Sequence, residues 1–296
     1  MFIQAAQPFD FRKSLVFAEA FAPAGGEQFI DGTVLHKAFE IEDVCVLATV
    51  SGAPGGIYLT LDADVELSVH QEREARDRVA FYLSLNDELD AFYRRAESDP
   101  AFAPLLEAGY GFHQVKFASP FEAACWSILT QRMAVAVARR VKDRIVERFG
   151  TSIERDGTVF RAFPSPQRLG RVSDAALLDA GVQERRLRYL RSAIEAFTEV
   201  DETTLRSAPT CDVEAWLRKI NGIGEWSSQL ILLRGLGRMD TFGTGDPLLR
   251  AAQAVYGPVN AHTMQMLASM YGEHAGYWLF YLKAVPELAT TFSGVA

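Results

Sequence analysis

The spacing of apolar and polar residues divides the chain into a sheet-like first part and a helical remainder. Within residues 1–70, the short β-type runs VCVLATV (44–50) and IYLTL (57–61) flank the turn-forming stretch SGAPGG (51–56), which predicts a β-hairpin. From about residue 72 onward, apolar residues recur at helical spacing. The pattern therefore predicts an α+β chain, in which a small N-terminal antiparallel β-rich unit precedes a mostly α-helical region.

Two of the predicted helices have recognisable ends. Ser119, followed by Pro120 and Glu122, predicts a helix start with a capping box. The polar break TQR (130–132) ends this helix, and a second helix is predicted over residues 133–150. We place the boundary between the two parts at residue 75, with a β-rich subdomain over 1–75 and a helical domain over 76–296.

Residues 211–237 predict two helices joined by a tight hairpin, NGIG, with Gly222, Ile223 and Gly224 at its centre. The glycines allow positive φ angles or a close backbone approach, and Ile223 fills the gap between the helices. The second helix then begins with free N–H groups, which suit a phosphate. Taken alone, the pattern G-I-G favours a plain turn between two core helices.

An aspartate lies 20 residues beyond Trp226, in the loop region 240–250. Asp246 precedes Pro247, and this order predicts that Asp246 caps the next helix, partly desolvated at the mouth of a cleft. Ordinary helix capping is the alternative reading of this carboxylate.

Composition and charge narrow the classes of partner. No window approaches eighteen uninterrupted apolar residues, so no membrane span is expected. Cys45, Cys125 and Cys211 are isolated, which excludes a disulfide framework and an iron–sulfur cluster and indicates a reducing cytoplasm. The net charge of −8 arises from residues 1–110, which carry 19 acidic and 8 basic side chains. The rest of the chain is slightly basic, so the overall charge does not exclude a nucleic-acid partner.

The hairpin and the aspartate together resemble one family. L-x-x-I-x-G-I-G-x-W, a following helix, L-R-G and D-x-F-x-x-x-D are similar to the helix–hairpin–helix (HhH-GPD) DNA glycosylase superfamily, and most to its 3-methyladenine DNA glycosylase II type. Other segments match in the same order, so the resemblance covers about residues 117–283. It implies a two-lobed helical domain with an active-site cleft between the lobes, behind an N-terminal subdomain like the TATA-binding protein.

The resemblance implies an enzyme of base excision repair that flips a damaged base out of the duplex and cuts its bond to the sugar. Asp246 is implied as the carboxylate that stabilises the cationic sugar. Trp226 stands where the related enzymes with lyase activity carry a lysine nucleophile. We therefore expect a monofunctional glycosylase that leaves an abasic site without cutting the strand.

Four residues are implied for the base pocket: Trp226, Leu230, Tyr277 and Lys283. Trp226 would form a wall of the pocket by stacking, although a core position is the alternative for this aromatic residue. Leu230 and Lys283 replace aromatic residues of the family, and a lysine there disfavours a cationic base. Tyr277 or Trp278 can compensate. We expect alkylated purines first, and deaminated or oxidised purines as the alternative.

The loop that fills the gap left by the flipped base is implied at Gln131, Arg132 and Met133, with Arg132 at the wedge position. An ordinary solvated arginine is the alternative for Arg132, and also for Arg250, which is implied to hold the loop or a phosphate. Basic runs on two helices permit DNA contact without requiring it. They are Arg139, Arg140, Lys142 and Arg144 in one helix, and Arg185, Arg186, Arg188 and Arg191 in the other.

The expected partner is double-stranded DNA with damaged bases, bound by a monomer in a bacterial-type cytoplasm, in association with the nucleoid. No metal or other cofactor is expected, apart from a possible monovalent cation at the carbonyls of the hairpin. Two competing hypotheses remain: a damage-recognition protein that keeps the hairpin but lacks catalysis, and a metabolic enzyme with an unrelated cleft.

Overall fold

The structure, a computed structural model, describes residues 1–24, 26–243 and 245–293, with side chains described as far as residue 288. Seven strands lie in this part of the chain: β1 Phe2–Gln4, β2 Gln28–Asp31, β3 Val34–Ile41, β4 Val44–Ala53, β5 Gly56–Asp62, β6 Ser152–Arg155 and β7 Thr158–Arg161.

The same described ranges contain fifteen α-helices. They are α1 Phe11–Ala20, α2 Val69–Tyr82, α3 Asp90–Ala96, α4 Ala103–Gly109, α5 Pro120–Leu129, α6 Val135–Phe149, α7 Pro166–Gly170, α8 Asp174–Asp179, α9 Glu184–Glu199, α10 Glu202–Ser207, α11 Thr210–Leu217, α12 Glu225–Leu230, α13 Asp246–Tyr256, α14 Ala261–Tyr271 and α15 Ala275–Ser293. None of these helices is long and apolar enough to cross a membrane.

The N-terminal part is a five-stranded antiparallel sheet in the order β1-β5-β4-β3-β2, which confirms the predicted antiparallel β-rich unit. The hairpin expected at SGAPGG is confirmed: β4 pairs with β5 down to Ala53 and Gly56. Gly55 has φ +79° in the two-residue turn, a backbone angle that glycine adopts readily. Helices α1 and α2 cover one face of the sheet and bury their apolar sides against it.

Two elements were missed by the sequence pattern. Helix α1 lies in a region read as sheet only; Asp10 caps it by accepting a hydrogen bond from Arg12 N–H at 3.0 Å. The β6–β7 hairpin packs on the outer side of the sheet, where Ile153 contacts the small cluster around Cys45. Both elements are short and gain their stability from packing rather than from local sequence.

The predicted start of α5 is confirmed in part. Ser119 caps the helix by accepting from Glu122 N–H at 3.1 Å. Glu122 does not complete a capping box, however. Its carboxylate instead accepts from Ala118 N–H and forms an ion pair with Lys142 at 3.0 Å, because the site is buried and a cation lies beside it.

The helical part has two hydrophobic cores, which correspond to the two lobes expected. The first core joins α5 to α11 with the hairpin, and the second joins α3, α4 and α13–α15. The segment Ile231–Gly235, a π-helical turn that continues α12, connects them, since Ile231 and Leu232 lie in the first core and Leu233 in the second. The loop that carries Asp246 therefore leaves the boundary between the lobes.

Charged side chains join the sheet to the helical part. Arg78 of α2 pairs with Glu202 of α10 at 3.0 Å. A fully buried group of four charges lies between strand β3 and helices α5 and α6: Glu27, Lys37, Glu122 and Lys142. The domain boundary predicted at residue 75 falls inside α2, and that helix packs against the sheet.

Candidate functional site

The hairpin between α11 and α12 is held in place by contacts with helix α9. Gly222 has φ +92°, and a Cβ at this position would lie 2.3 Å from Cγ of Tyr189, so no larger residue fits. Ile223 is buried in the first core, as its position between the glycines predicts. Ser192 Oγ accepts from Asn221 N–H at 3.1 Å. Helix α9 thus supports the turn through Tyr189 and Ser192.

The outer end of the hairpin is open to solvent. A Cβ on Gly224 would meet no atom within 4 Å, and within the described ranges the N–H groups of Glu225 and Trp226 donate to no acceptor. These two groups begin α12 and point away from it, an arrangement that suits an anion. Glu225 adds a negative charge at the same end.

Trp226 is 50% exposed, so the alternative of a core aromatic residue does not apply to it. It lies in a surface groove that the hairpin shares with Gln131 and Tyr189 and with the cations Arg218 and Lys219. Leu230, one turn further along α12, is half-buried and packs on the first core. The two pocket residues predicted on α12 therefore differ in their freedom to meet a ligand.

The TQR break forms a turn next to the hairpin. Gln131 Nε2 donates to the carbonyl oxygen of Gly222 at 2.7 Å, and Arg186 donates to the carbonyl oxygen of Gln131. Arg132 follows with φ +50° and an exposed side chain, whereas Met133 packs on the first core. Of the three residues predicted to enter DNA, Arg132 alone is exposed.

Helix α13 begins at Asp246, and Gly245 precedes it with φ +128°. Asp246 is thus in the first helical turn rather than at the cap position, which corrects the predicted cap. Its side chain is exposed rather than partly desolvated. An acidic group in the first helical turn is stabilised by the free N–H groups there. Arg250 lies one turn further along and is also exposed.

The loop before Asp246 packs against both lobes. A Cβ on Gly243 would lie 3.6 Å from the Gln229 side chain of α12 and 3.7 Å from the Leu279 side chain of α15. Gly276 N–H donates to the carbonyl oxygen of Met239 at 2.9 Å. These contacts place the aspartate loop between α12, which carries Trp226, and α15.

The two pocket residues predicted on α15 lie in different surroundings. Tyr277 is inside the second core and donates to Asp87 at 2.5 Å. Burial, with Asp87 adding to it, raises the pKa of Tyr277 well above its usual range, so the hydroxyl stays a donor. Lys283 is exposed. No contact between either residue and Asp246 is found within the described ranges.

Five of the eight cations in the basic runs on α6 and α9 are exposed, and the other three have partners inside the protein. Lys142 is buried between Glu27 and Glu122, and Arg186 is buried beneath Gln131. Arg191 pairs with Asp174. A run of cations in sequence is therefore a poor guide to the DNA-facing charge of this protein.

One group in the described part of the chain has the spacing of a metal site, formed by Glu42, His70 and Glu74. Its members already have partners. Arg73 contacts His70 Nδ1 at 3.3 Å, His70 Nε2 faces Glu42 at 3.4 Å, and Arg78 pairs with Glu74. A guanidinium that donates to Nδ1 leaves the proton on Nε2, where a metal would have to bind.

Another concavity, of about 430 Å³, lies between the sheet and the helical part. Its lining carries Glu40, Asp43 and Glu202 among several carboxylates, a charge that repels a phosphate backbone. The candidate site is therefore the hairpin groove and the adjoining aspartate loop.

Sequence reasoning missed Tyr189 and Arg186, the two α9 residues on which the hairpin and the TQR turn rest. Both lie at helical spacing within a basic run, and nothing in that spacing distinguishes a support from a solvated face. Only the contacts with Gly222 and Gln131 reveal their part.

Comparison with known proteins finds a protein family and individual relatives that match this chain. The model of the HhH-GPD superfamily base excision DNA repair protein matches residues 125–274. A DNA-3-methyladenine glycosylase of Bacillus subtilis is 30% identical over 213 residues, which are 70% of this chain and 70% of that protein.

Solved structures show the same fold over nearly the whole chain. A 3-methyladenine DNA-glycosylase from Archaeoglobus fulgidus superposes with a TM-score of 0.79 at 21% identity, covering 95% of this chain and 97% of that chain. An 8-oxoguanine glycosylase/lyase of Clostridium acetobutylicum, in complex with double-stranded DNA, gives a TM-score of 0.72 at 15% identity, covering 95% and 93% of the two chains. At these identities the likeness is one of fold.

Proposed function

Since the chain belongs to the HhH-GPD superfamily of base excision DNA repair proteins, we propose that it is a monofunctional DNA glycosylase that removes an alkylated purine from duplex DNA. The observation that carries this proposal is the position of Asp246 at the start of α13, directly after a loop that packs against the helix of Trp226. A carboxylate beside a DNA-binding hairpin weakens affinity for phosphate, so its presence favours catalysis over binding alone.

Asp246 supplies the charge that the reaction requires. When the bond between sugar and base breaks, the electron pair leaves with the base and the sugar acquires oxocarbenium character. A nearby carboxylate stabilises this cation and orients the water that adds to the sugar carbon, whose proton it accepts. Loss of such a preorganised charge lowers the rate by about 10²–10³-fold.

Trp226 supports both the substrate class and the extent of the reaction. Its exposed ring can stack on a flipped base, and an electron-rich indole attracts the cationic rings of alkylated purines. An indole has no amine to form a Schiff base with the sugar, so the strand should remain whole. The expected substrate is duplex DNA, and we retain a cytoplasmic, nucleoid-associated protein as part of this proposal.

End-labelled duplexes with a single methylpurine, hypoxanthine or oxoguanine test the proposal, with and without later alkali. We expect loss of a methylpurine and strand breakage only after alkali. Excision of hypoxanthine or oxoguanine alone would favour the alternative substrates, and binding without excision would favour a damage-recognition protein. Breakage without alkali, or trapping by borohydride, would overturn the monofunctional assignment.

Asp246→Asn tests the catalytic residue, with Asp240→Asn as the matched control. Asp240 lies in the same loop region, where its carboxylate accepts a hydrogen bond from Thr210 Oγ1 at 2.6 Å. We expect Asp246→Asn to lose about 10²–10³-fold in single-turnover rate while DNA affinity is kept or improved. Equal activity of Asp246→Asn and wild type would contradict the assignment.

A monovalent cation at the hairpin remains part of the proposal. Two carbonyls of the turn already accept hydrogen bonds, that of Ile220 from Ile223 N–H and that of Gly222 from Gln131. Each carbonyl oxygen keeps a second lone pair, so these hydrogen bonds do not prevent either oxygen from binding an ion. Thermal unfolding in potassium chloride, compared with tetramethylammonium chloride at equal ionic strength, measures this binding.

A further inference from the structure

Two segments that are 91 residues apart in sequence meet at one hydrogen bond beside the hairpin groove. Gln131, in the turn after α5, donates through Nε2 to the carbonyl oxygen of Gly222 at 2.7 Å. The amide has to present its nitrogen here, because its oxygen would face another oxygen. The bond connects the turn that carries Arg132 directly to the turn that begins α12.

The acceptor of this bond has a fixed position. Gly222 has φ +92°, and Tyr189 lies so close that a Cβ would approach its ring to 2.3 Å. The next residue, Ile223, is buried in the first core. The carbonyl of Gly222 therefore points toward the TQR turn because of the backbone itself, with little freedom to move away.

The donor is held equally well. Arg186 is buried and donates to the carbonyl oxygen of Gln131 and to the side chain of Gln183. Thr130 Oγ1 donates to the carbonyl oxygen of Trp126 at 2.9 Å, which closes the end of α5. Gln131 is thus anchored through its own backbone on α9 and through its side chain on the hairpin.

Arg132 is the residue left between these anchors. Its φ of +50° is uncommon for a residue with a side chain, and the side chain is exposed with no hydrogen bond or ion pair in the part of the chain that the structure describes. Met133, the next residue, is held against the first core. The arrangement presents a single free guanidinium at the tip of a fixed turn.

We propose that Gln131 is a positioning residue: it joins the hairpin to the turn of Arg132, so that docking of the hairpin on DNA places Arg132 at the gap left by the flipped base. The inference rests on the proposed function and deepens it. It also changes the role of Gln131, which the family resemblance implied as a DNA contact. Gln131 acts within the protein, and Arg132 alone enters the duplex.

The competing possibility is that Gln131 leaves Gly222 and enters DNA itself. The two roles predict different behaviour when Arg132 is absent. A positioning residue acts through Arg132, so its loss adds nothing once Arg132→Ala has been made, whereas a direct contact adds its own loss.

The experiment uses the full chain and duplexes with 2-aminopurine beside a stable abasic analogue, whose fluorescence rises when its neighbour is unstacked. The variants are Gln131→Ala, Gln131→Glu, Arg132→Ala and the double variant Gln131→Ala/Arg132→Ala. Gln131→Glu keeps the volume but replaces the donor by an oxygen. The matched control is Gln7→Ala, because Gln7 also donates to backbone carbonyls, at 3.0 and 3.2 Å, but lies near the sheet.

We expect Gln131→Ala and Gln131→Glu to lower the fluorescence increase and the single-turnover rate by about five- to tenfold, as the loss of one hydrogen bond allows. Affinity for undamaged duplex should change less than twofold, and Gln7→Ala should behave like wild type. The double variant should equal Arg132→Ala. Thermal unfolding of each variant shows whether the fold has been kept.

Three results would overturn the inference: a Gln131→Ala protein that unstacks DNA like wild type, a weakening of undamaged-duplex binding equal to the loss of rate, or additive losses in the double variant. Fluorescence reports insertion without bond cleavage. If wild type unstacks the DNA but removes no base, the proposed function fails while the role of Gln131 is still decided by its variants.

Discussion

At the scale of single residues, the two glycines of the hairpin have opposite requirements. We expect Gly222→Ala to destabilise the protein by about 1–3 kcal/mol, because an alanine at φ +92° is strained and its Cβ would collide with Tyr189. Gly224→Ala is the matched control, since its Cβ would meet no atom within 4 Å. Chemical unfolding of both variants measures the difference, and equal stability would contradict the contact with Tyr189.

Two tryptophans give a second comparison at this scale. Trp226→Ala should leave the free energy of unfolding nearly unchanged, because the ring is half exposed. The rate of base excision should fall, because about 1–3 kcal/mol of stacking on the flipped base is lost. Trp216→Ala should do the reverse. The ring of Trp216 packs edge-on against that of Phe197, with 5.2 Å between the ring centroids. Its removal should lower the free energy of unfolding by up to about 3 kcal/mol.

Excision kinetics and thermal unfolding of the two tryptophan variants check this contrast. A Trp226→Ala protein that is destabilised but excises bases at the wild-type rate would show that the ring serves the fold rather than the substrate.

Local spacing predicted the residues of the hairpin but not their supports. The letters around Gly222 and Ile223 determine a turn because φ angles and side-chain size are local properties. The bond from Gln131 to Gly222 joins residues 91 positions apart, and no periodicity reports such a contact. The cap predicted at Asp246 was wrong by one position, since Gly245 supplies the non-helical residue instead.

At the scale of elements, Glu202 connects α10 to α2 through Arg78 and also pairs with Arg206. Burial alone would raise the pKa of Glu202, but Arg78 and Arg206 outweigh it and hold the pKa below its ordinary value. A carboxyl whose pKa is lowered on folding stabilises the protein at pH values above its pKa in the unfolded chain, which is about 4.3. This contribution is lost as the pH falls through the folded pKa.

We therefore expect Glu202→Gln to lower stability at pH 7 by about 1.5–3 kcal/mol, the usual worth of hydrogen bonds to charged groups. The difference from wild type should shrink as the pH falls below about 4. Melting temperatures between pH 7 and pH 3 measure it, with Glu199→Gln on the exposed face of α9 as control. A difference that stays constant with pH would exclude this linkage.

Helix ends were predictable from sequence at this scale, and helix partners were not. Ser119 starts α5 as its hydroxyl chemistry requires. Glu122 was assigned to the same cap from its spacing, yet the ion pair with Lys142 decides its position. Long-range charge pairing takes precedence over a local motif where both compete for one carboxylate.

At the scale of the whole molecule, the net charge of −8 does not exclude a local surface that attracts DNA. Arg218 and Lys219 line the hairpin groove and are exposed. We expect Lys219→Ala to weaken binding to all duplexes alike and to reduce the slope of log K against log salt by about one. Arg155→Ala is the control, because Arg155 pairs with Asp62 and Asp64 beside the sheet.

Binding measured between low and moderate salt gives both slopes. If Arg155→Ala and Lys219→Ala change the slope equally, DNA binds the hairpin face and the sheet alike. The DNA interface proposed at the hairpin groove would then be wrong.

The overall division into a sheet and a helical region followed from the sequence, because periodicity changes from two to 3.6 within a few residues. The position of the division was harder to predict. Helix α2 has a helical pattern but packs on the sheet. Its sequence pattern therefore assigns residue 75 to the helical region, whereas its packing assigns the same residue to the sheet. The division of the helical part into two cores depends on contacts such as those of Leu233. These contacts join residues that are far apart in sequence, so a local pattern cannot predict them.

The buried group of four charges has a consequence for the order in which the protein is made. Glu27 and Lys37 leave the ribosome early, whereas Lys142 follows Glu27 by 115 residues. At ordinary translation speeds this delay is on the order of 6–23 seconds. During that time the nascent sheet holds an acidic group that lacks its second cation, so the N-terminal unit should mature only when helices α5 and α6 have been synthesised.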